Sequence, residues 1–294
     1  MEYIIDKEYE NVRLDRFLRK KYEDISLTEI FKGIRTGKVK VNGKKSKENY
    51  RLQYEDVVKV FFNGGETKEE KLVSVEDKEI EKIKKLIVYE DDKILIFNKK
   101  GNMVMHKGSG YEYGISEMLK TYLKNENFNF VNRIDKATSG LIIGAKSLVV
   151  ARELAEDIRN RDIDKKYYIL VNGRIKEKEF KIKSWLKKIE DKVIEVDKFE
   201  EGAKESISTF KVIEYGKDCT LLEGTLGSGR THQLRVQLAN KGNYIIGDNK
   251  YGENKSKIKE KMMYLFSHYV KIERYGIEIN LPVPEEFLTK LGNN

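Results

Sequence analysis

Asn132-Arg133-Ile134-Asp135-Lys136-Ala137-Thr138-Ser139-Gly140-Leu141 sets one carboxylate in a turn between two basic residues, Arg133 and Lys136. Two hydroxylic residues and a glycine follow, then the apolar run Leu141-Ile142-Ile143-Gly144-Ala145. A short run of branched side chains bounded by turn residues predicts a buried strand. Asp135 then lies on a loop feeding a rigid strand, a position suited to a reacting group. The same residues also fit a plain Asx-turn, in which the carboxylate only bonds the backbone near Thr138. The stretch alone leaves both readings open.

Working outward, residues 87–99 read as strand, turn, strand, and residues 115–123 as a helix. His106 stands beside the Gly108-Ser109-Gly110 turn, a weak signal by itself. Downstream, Ser147 caps a helix with the apolar stripe Leu148, Ala151, Leu154, Ala155 and Ile158. Lys165–Val171 is a strong strand, and residues 174–201 suit a hairpin insertion around Trp185. Strands are expected at 206–212 and 219–226. The Gly227-Ser228-Gly229 turn then runs into a helix that carries Arg235 and ends at Gly242. Two short late strands, 264–266 and 270–272, precede a C-terminal helix introduced by Pro282 and Pro284. Hairpins with few helices predict an α+β domain on a mixed, mostly antiparallel sheet.

The N-terminal part differs in character. Leu14, Phe17 and Leu18 form the apolar stripe of one helix, and Ser26 with Glu29 makes a capping box for a second that stops at Gly37. Lys38–Val41 alternates, Asn42-Gly43 is a hairpin turn, and Asp56–Phe62 is a closing strand. Between positions 32 and 51 stand eight basic residues (Lys32, Arg35, Lys38, Lys40, Lys44, Lys45, Lys47 and Arg51) against one acid, Glu48. That density on one helix end and one hairpin favours a phosphate-binding surface over a merely solvated face. Asn63-Gly64-Gly65 opens a linker, whose later mixed Lys/Glu part also fits a helix. The expected division is an α/β module at 1–62, a linker at 63–85 and a larger domain at 86–294.

Composition narrows the function class. The 294 residues are 39% hydrophobic and 36% charged, with a net charge of +9, which favours a polyanionic partner. Cys219 is the single cysteine and lies in an apolar segment, so a buried thiol in a reducing cytoplasm is expected. The three histidines are dispersed, so no metal is expected. No apolar run approaches membrane-spanning length and no signal peptide is read, so no membrane partner is expected.

Asp135, Tyr167 and Arg230 or Arg235 punctuate the larger domain. An arginine would hold the aspartate ionised and oriented, an ionised carboxylate can act as a nucleophile, and a phenol can stack on a base or move a proton. A structural ion pair with a core tyrosine weighs equally on the residues alone. Four ordered motifs resolve this by resemblance. N-R-I-D-K-A-T-S-G-L resembles the H-R-L-D-x-x-T-S-G-L signature of the pseudouridine synthases that modify large-subunit ribosomal RNA and some tRNAs. K-K-Y-Y-I-L-V-N-G is similar to that family's K-x-Y-x-A-x-V-x-G strand, G-R-T-H-Q-L-R-V-Q-L-A to its G-R-T-H-Q-I-R-V-H-L-A segment, and I-I-G-D-x-x-Y-G to its I-x-G-D-x-x-Y-G turn. The match spans about residues 86–290. Residues 12–62, with K-V-x-V-N-G-K at their centre, resemble the S4-like RNA-binding module of a ribosomal small-subunit protein and of tyrosyl-tRNA synthetases, a common partner of this family.

The resemblance implies conversion of uridine to pseudouridine within RNA, without cofactor or metal. It implies Asp135 as the catalytic carboxylate, Tyr167 as the active-site tyrosine and Arg235 as the arginine paired with Asp135, with Arg230 second. Arg133 and Thr138 would shape the loop and contact RNA together with Arg230, and Lys38, Lys40, Lys44 and Lys45 would bind phosphates. Large-subunit ribosomal RNA is the first expected partner and tRNA the second, for a monomer in the cytoplasm. The alternative is a non-catalytic RNA-binding or ribosome-assembly factor on the same fold. This chain departs from the family pattern at Asn132, Ile134, Ser228, Gln237 and Leu265-Phe266-Ser267, which puts RNA contacts and the target uridine in question.

Overall fold

The computed structural model describes residues 1–22, 24–62, 72–106, 113–252 and 260–292. The Asn63-Gly64-Gly65 and Gly108-Ser109-Gly110 turns lie outside the described residues.

The N-terminal part runs β1 (Glu2–Ile4), α1 (Leu14–Lys21), α2 (Leu27–Thr36), β2 (Val39–Val41), β3 (Lys44–Lys45) and β4 (Val57–Val60). Its strands form one sheet in the order β1-β4-β2-β3. Local chemistry sets these boundaries. Ser26 accepts from the Glu29 amide while the Glu29 carboxylate accepts from the Ser26 amide, closing the capping box. Gly37 ends α2 at φ +81°, a conformation that strains any residue with a Cβ. Both central residues of the β2–β3 turn, Asn42 (φ 50°) and Gly43 (φ 76°), are left-handed, as a two-residue hairpin requires. Leu14, Phe17, Leu18, Ile30, Ile34, Val39 and Val58 fill a core separate from those of the larger sheet.

The larger part continues with α3 (Asp77–Lys84), β5 (Ile87–Glu90), β6 (Ile94–Lys99), α4 (Ile115–Leu123), β7 (Asn129–Phe130), β8 (Ser139–Ala145), α5 (Leu148–Asn160), β9 (Ile163–Asn172), β10 (Glu179–Ile189), β11 (Lys192–Val196), β12 (Lys204–Tyr215), β13 (Cys219–Leu226), α6 (Gln233–Asn240), β14 (Leu265–Ile272), β15 (Ile277–Asn280) and α7 (Glu285–Leu291). Within the stretch read as a linker, α3 packs Ile80 and Ile83 with Leu95 and Phe97. Its apolar spacing is too short to declare a core helix without that neighbour.

Eleven strands make one sheet with the path β11-β10-β12-β13-β9-β14-β8-β6-β5; β15 pairs with β14 and β7 with β8. Every pairing is antiparallel except β14 with β8. That parallel contact rests on the opening stretch. Gly140 has φ +106°, and a Cβ there would lie 2.2 Å from the Ser267 carbonyl oxygen. Only glycine lets β8 approach β14 so closely. The run 141–145 is wholly buried, with Leu141 and Ile143 packing towards α5. The two late strands expected at 264–266 and 270–272 are one strand, β14, whose register with β9 shifts between Ser267 and Tyr269. A bulge breaks the alternation there, which makes one strand look like two. Cys219 is buried, as its apolar neighbours imply.

Candidate active site

Asp135 is not an Asx-turn former. The turn closes through its carbonyl, which accepts from the Thr138 amide at 3.1 Å. Its carboxylate is turned instead to Arg235, whose Nη1 donates to Oδ2 at 2.8 Å across 100 residues of sequence.

Several groups hold the loop. Lys99, at the end of β6, is wholly buried and donates from Nζ to the carbonyls of Thr138 at 2.7 Å and Lys136 at 2.8 Å, with Asp135 (3.4 Å) and Lys100 (3.2 Å) further off. The Asn102 amide donates to the Lys136 carbonyl at 2.8 Å. Asn132 accepts from the Ile143 amide at 2.8 Å and so ties the loop to β8. Burial lowers the Lys99 ammonium to about 8, against which Asp135 pulls upward. The folded state therefore binds fewer protons than the unfolded chain between about pH 8 and the ordinary value of 10.5, and stability gains from this group as pH rises through that window. Lys99→Met is expected to flatten that rise in a series of thermal melts, and an unchanged slope would remove Lys99 as its source.

Arg235 lies on α6, most of whose residues are buried. A helix buried on nearly all sides needs its polar side chains paired, and here they are. Gln237 accepts from Ser208 Oγ at 2.7 Å and donates to Ser184 Oγ at 2.9 Å and the Ser206 carbonyl at 3.2 Å. Gln233 donates to Ser208 Oγ and accepts from Ser228 Oγ at 2.8 Å. This network fastens α6 to β10 and β12 and thereby fixes where Arg235 points. It also places one of several departures from the family pattern. Asn132, Gln237 and Phe266 are all buried, and Phe266 packs against Phe287. All three side chains face the interior.

Arg235 has a second partner that sequence reasoning did not assign. Its Nε and Nη2 donate to the two oxygens of Asp248 at 2.7 and 2.8 Å. The Asp248 side chain is 1% exposed and also accepts from the Lys250 and Tyr251 amides at 2.9 and 3.2 Å. Burial works against both charges, but the forked bonds outweigh it, raising the arginine and lowering the aspartate from their ordinary values. A fixed, permanently charged guanidinium therefore faces Asp135. His232 Nε2 lies 3.5 Å from the same Asp135 oxygen, and its Nδ1 is 2.7 Å from the Tyr251 hydroxyl.

Tyr167 is buried in β9 opposite Ser267. Burial pushes its phenol up to about 12, the Ser267 hydroxyl draws it down and the Asp135 charge raises it. The phenol is therefore protonated at neutral pH and near the carboxylate. Beside the site opens a cavity of about 310 Å³ lined by Ala137, Lys192, Arg235, Gly247, Asn249, Lys250 and Met263. Asp135, Tyr167 and Arg235 are thus brought together. Arg230 is exposed and turns to the Glu205 carbonyl at 3.4 Å, so it does not pair with Asp135. Arg133 is exposed beside the loop. Thr138, read as an RNA contact, is buried, with its amide and carbonyl both spent inside the loop. His106 lies against Glu117 at 3.8 Å.

In the smaller sheet Lys32, Arg35, Lys38, Lys44, Lys45, Lys47 and Arg51 are exposed and Lys40 is half-buried. Lys40 pairs across the strands with Lys45 and with Lys59. Like charges directly opposite each other are unfavourable in a sheet, and Lys59 is compensated by Glu2 at 3.0 Å. Among the described residues no cluster of three His, Cys, Asp or Glu side chains could hold a metal, and no helix is long and apolar enough to cross a membrane.

Comparison with known proteins bears on the same residues. The RNA pseudouridylate synthase family profile matches residues 93–240, and the S4 domain profile matches residues 12–58. The chain is 32% identical over 293 residues to the ribosomal large subunit pseudouridine synthase C of Vibrio vulnificus, covering 96% of this chain and 92% of the relative. It is 32% identical over 243 residues to the protein of that name from Escherichia coli, covering 82% and 76%. The fold is also that of human RNA pseudouridylate synthase domain containing 4, with a TM-score of 0.63 at 18% identity over 74% of this chain and 95% of that one. The chain therefore belongs to the RNA pseudouridylate synthase family, isomerases that convert uridine in RNA to pseudouridine, and carries an S4 domain ahead of that catalytic fold.

Proposed function

We propose that this chain isomerises specific uridines of large-subunit ribosomal RNA, with tRNA a secondary substrate class, and that Asp135 is the catalytic carboxylate. The observation that carries the reading is the Arg235–Asp135 contact beside a cavity, with the guanidinium locked from behind by Asp248. The relatives' names support ribosomal RNA as the substrate. In the reaction the bond from the uracil nitrogen to the sugar breaks, the base turns in the site, and it rejoins through its carbon five. Asp135 serves as nucleophile or as the acid–base group facing the base. Arg235 keeps it ionised and oriented. Tyr167, protonated, stacks on the uracil and relays the proton. A paired or stacked uridine must first leave its stack, at a cost of a few kcal/mol.

The basic surface at 32–51 offsets that cost by binding phosphates without regard to sequence. Residues 1–62 form the RNA-binding unit, and the catalytic unit starts with α3 rather than after it. We also propose that the protein works in the cytoplasm as a monomer.

Pseudouridine mapping of ribosomal RNA from cells with and without the protein tests the reading. Sites that vanish on deletion and return with the wild-type chain are expected; an unchanged map overturns it. Replacing Lys38, Lys40, Lys44 and Lys45 by Gln is expected to weaken RNA binding and to reduce the salt slope by roughly three, from about 0.7 to 0.9 per phosphate contact. A slope equal to that of the wild type would remove this surface from the RNA footprint.

A further inference from the structure

The described groups around Asp135 do not share its two oxygens evenly. Arg235 Nη1 and His232 Nε2 both approach Oδ2, and no hydrogen bond reaches Oδ1 among the described residues. His232 is itself bonded at its far nitrogen. The Val193 amide, at the start of β11, donates to the Tyr251 hydroxyl oxygen at 2.9 Å. The Tyr251 proton is then free to point to His232 Nδ1, 2.7 Å away, and in that arrangement Nδ1 accepts. A neutral imidazole that accepts at Nδ1 carries its proton on Nε2, the nitrogen beside Asp135. The 3.5 Å separation is long for a hydrogen bond, and catalytic contacts of this kind tighten when substrate fills the site. The ring is held edge-on to Tyr251, with centroids 5.4 Å apart, and Tyr251 in turn lies under the Arg235 guanidinium.

We infer that His232 is a positioning residue for the reaction: as the Nε2–H tautomer set by Val193 and Tyr251, it joins Arg235 in holding Oδ2 of Asp135 and leaves Oδ1 as the oxygen available to the substrate. The inference rests on Asp135 being the catalytic carboxylate. It also gives the β10–β11 hairpin a task. The hairpin supplies Lys192 to the cavity wall and the Val193 amide to the relay, so its seating is read at Asp135 through Tyr251 and His232.

The charged and titratable groups facing His232 are Asp135 on the loop before β8, Arg235 on α6, and Asp248, Lys250 and Tyr251 on the turn that follows. Burial, first, lowers the imidazole, Asp135 raises it, and Arg235 and Lys250 lower it against Asp248. The ring is thus neutral at pH 7. An imidazolium there would add positive charge beside Asp135 and weaken the carboxylate as a nucleophile or base. Loss of the Tyr251 proton donor would remove a bond made only to the neutral ring, and the imidazole would protonate at higher pH.

The test uses the full chain and a transcript of large-subunit ribosomal RNA that the wild type modifies. His232 occupies a left-handed conformation, φ 53°, which asparagine tolerates, so His232→Asn removes the reach to Asp135 without backbone strain. His232→Asn is expected to lower kcat by about 10- to 100-fold, the scale of one lost hydrogen bond to a charged group, with KM unchanged. His232→Gln, long enough to present an amide donor to Oδ2, is expected to recover most of that loss. Tyr251→Phe is expected to move the acid limb of the kcat/KM profile to higher pH. Wild-type kcat in His232→Asn overturns the inference. So does a loss that His232→Gln does not recover together with an unmoved acid limb in Tyr251→Phe, since that pattern marks packing alone. Asp135→Asn is assayed alongside: activity in that variant overturns the assignment of Asp135 itself, whereas its inactivity beside a fully active His232→Asn overturns only the role of His232.

Discussion

Asp135→Asn is expected to bind RNA with wild-type affinity and salt dependence and to form no pseudouridine. The substitution keeps the shape of the side chain and lets an amide oxygen still accept from Arg235. What is lost is the negative charge and the basic or nucleophilic oxygen. The loop should survive, because its geometry comes from backbone bonds to Lys99 and from Asn132 to Ile143, none of which uses the Asp135 side chain. Stability should therefore change little, and a melt alongside the assay checks that the loss is chemical. Turnover by a variant free of wild-type carry-over, measured by single-turnover mapping of one target uridine, would falsify the assignment.

The second large effect is on stability. Arg235→Met fills much of the same space but leaves Asp248 buried without its forked partner. Stranding one charge of a buried pair costs on the order of 3–5 kcal/mol, about 10 °C in melting temperature for a unit of this size. The sign with pH is specific. In the wild type the Asp248 carboxyl is held below its ordinary value of 3.8, so its contribution is present above that pH and lost as pH falls through the folded value. In Arg235→Met burial stands unopposed by the guanidinium, and the carboxyl rises above its unfolded value. The variant is then worst at neutral pH and recovers as the medium becomes acid. The gap in melting temperature between the two proteins is expected to be widest near pH 7 and to narrow towards pH 4. A gap that stays constant would mean that Asp248 is not the source of the loss. Activity should disappear as well, since Asp135 loses the donor that orients it.

Local signals alone determined much of this protein. The capping box at Ser26, the left-handed stop at Gly37, the Asn42-Gly43 turn and the buried strand after Gly140 each depend on neighbours within a few residues, and each stands in the structure as read. The four ordered motifs likewise pointed to the family, and period-two alternation along Leu95, Phe97 and Lys99 carried an unread sign that Lys99 faces inward. Only the tertiary structure decided the rest. Arg230 and Arg235 are alternatives on the residues alone, and only the family resemblance puts Arg235 first. What seats Arg235 is the buried glutamine–serine network that fastens α6, and Asp248 meeting that helix from the turn beyond it. Sequence shows identity and not direction at the departures Asn132, Gln237 and Phe266; the fold turns all three inward. The roles inferred for His232 and Tyr251 likewise need the β10–β11 hairpin folded back over the site. Contacts across 58 or 100 residues are set by how strands and helices pack, and no local pattern encodes them.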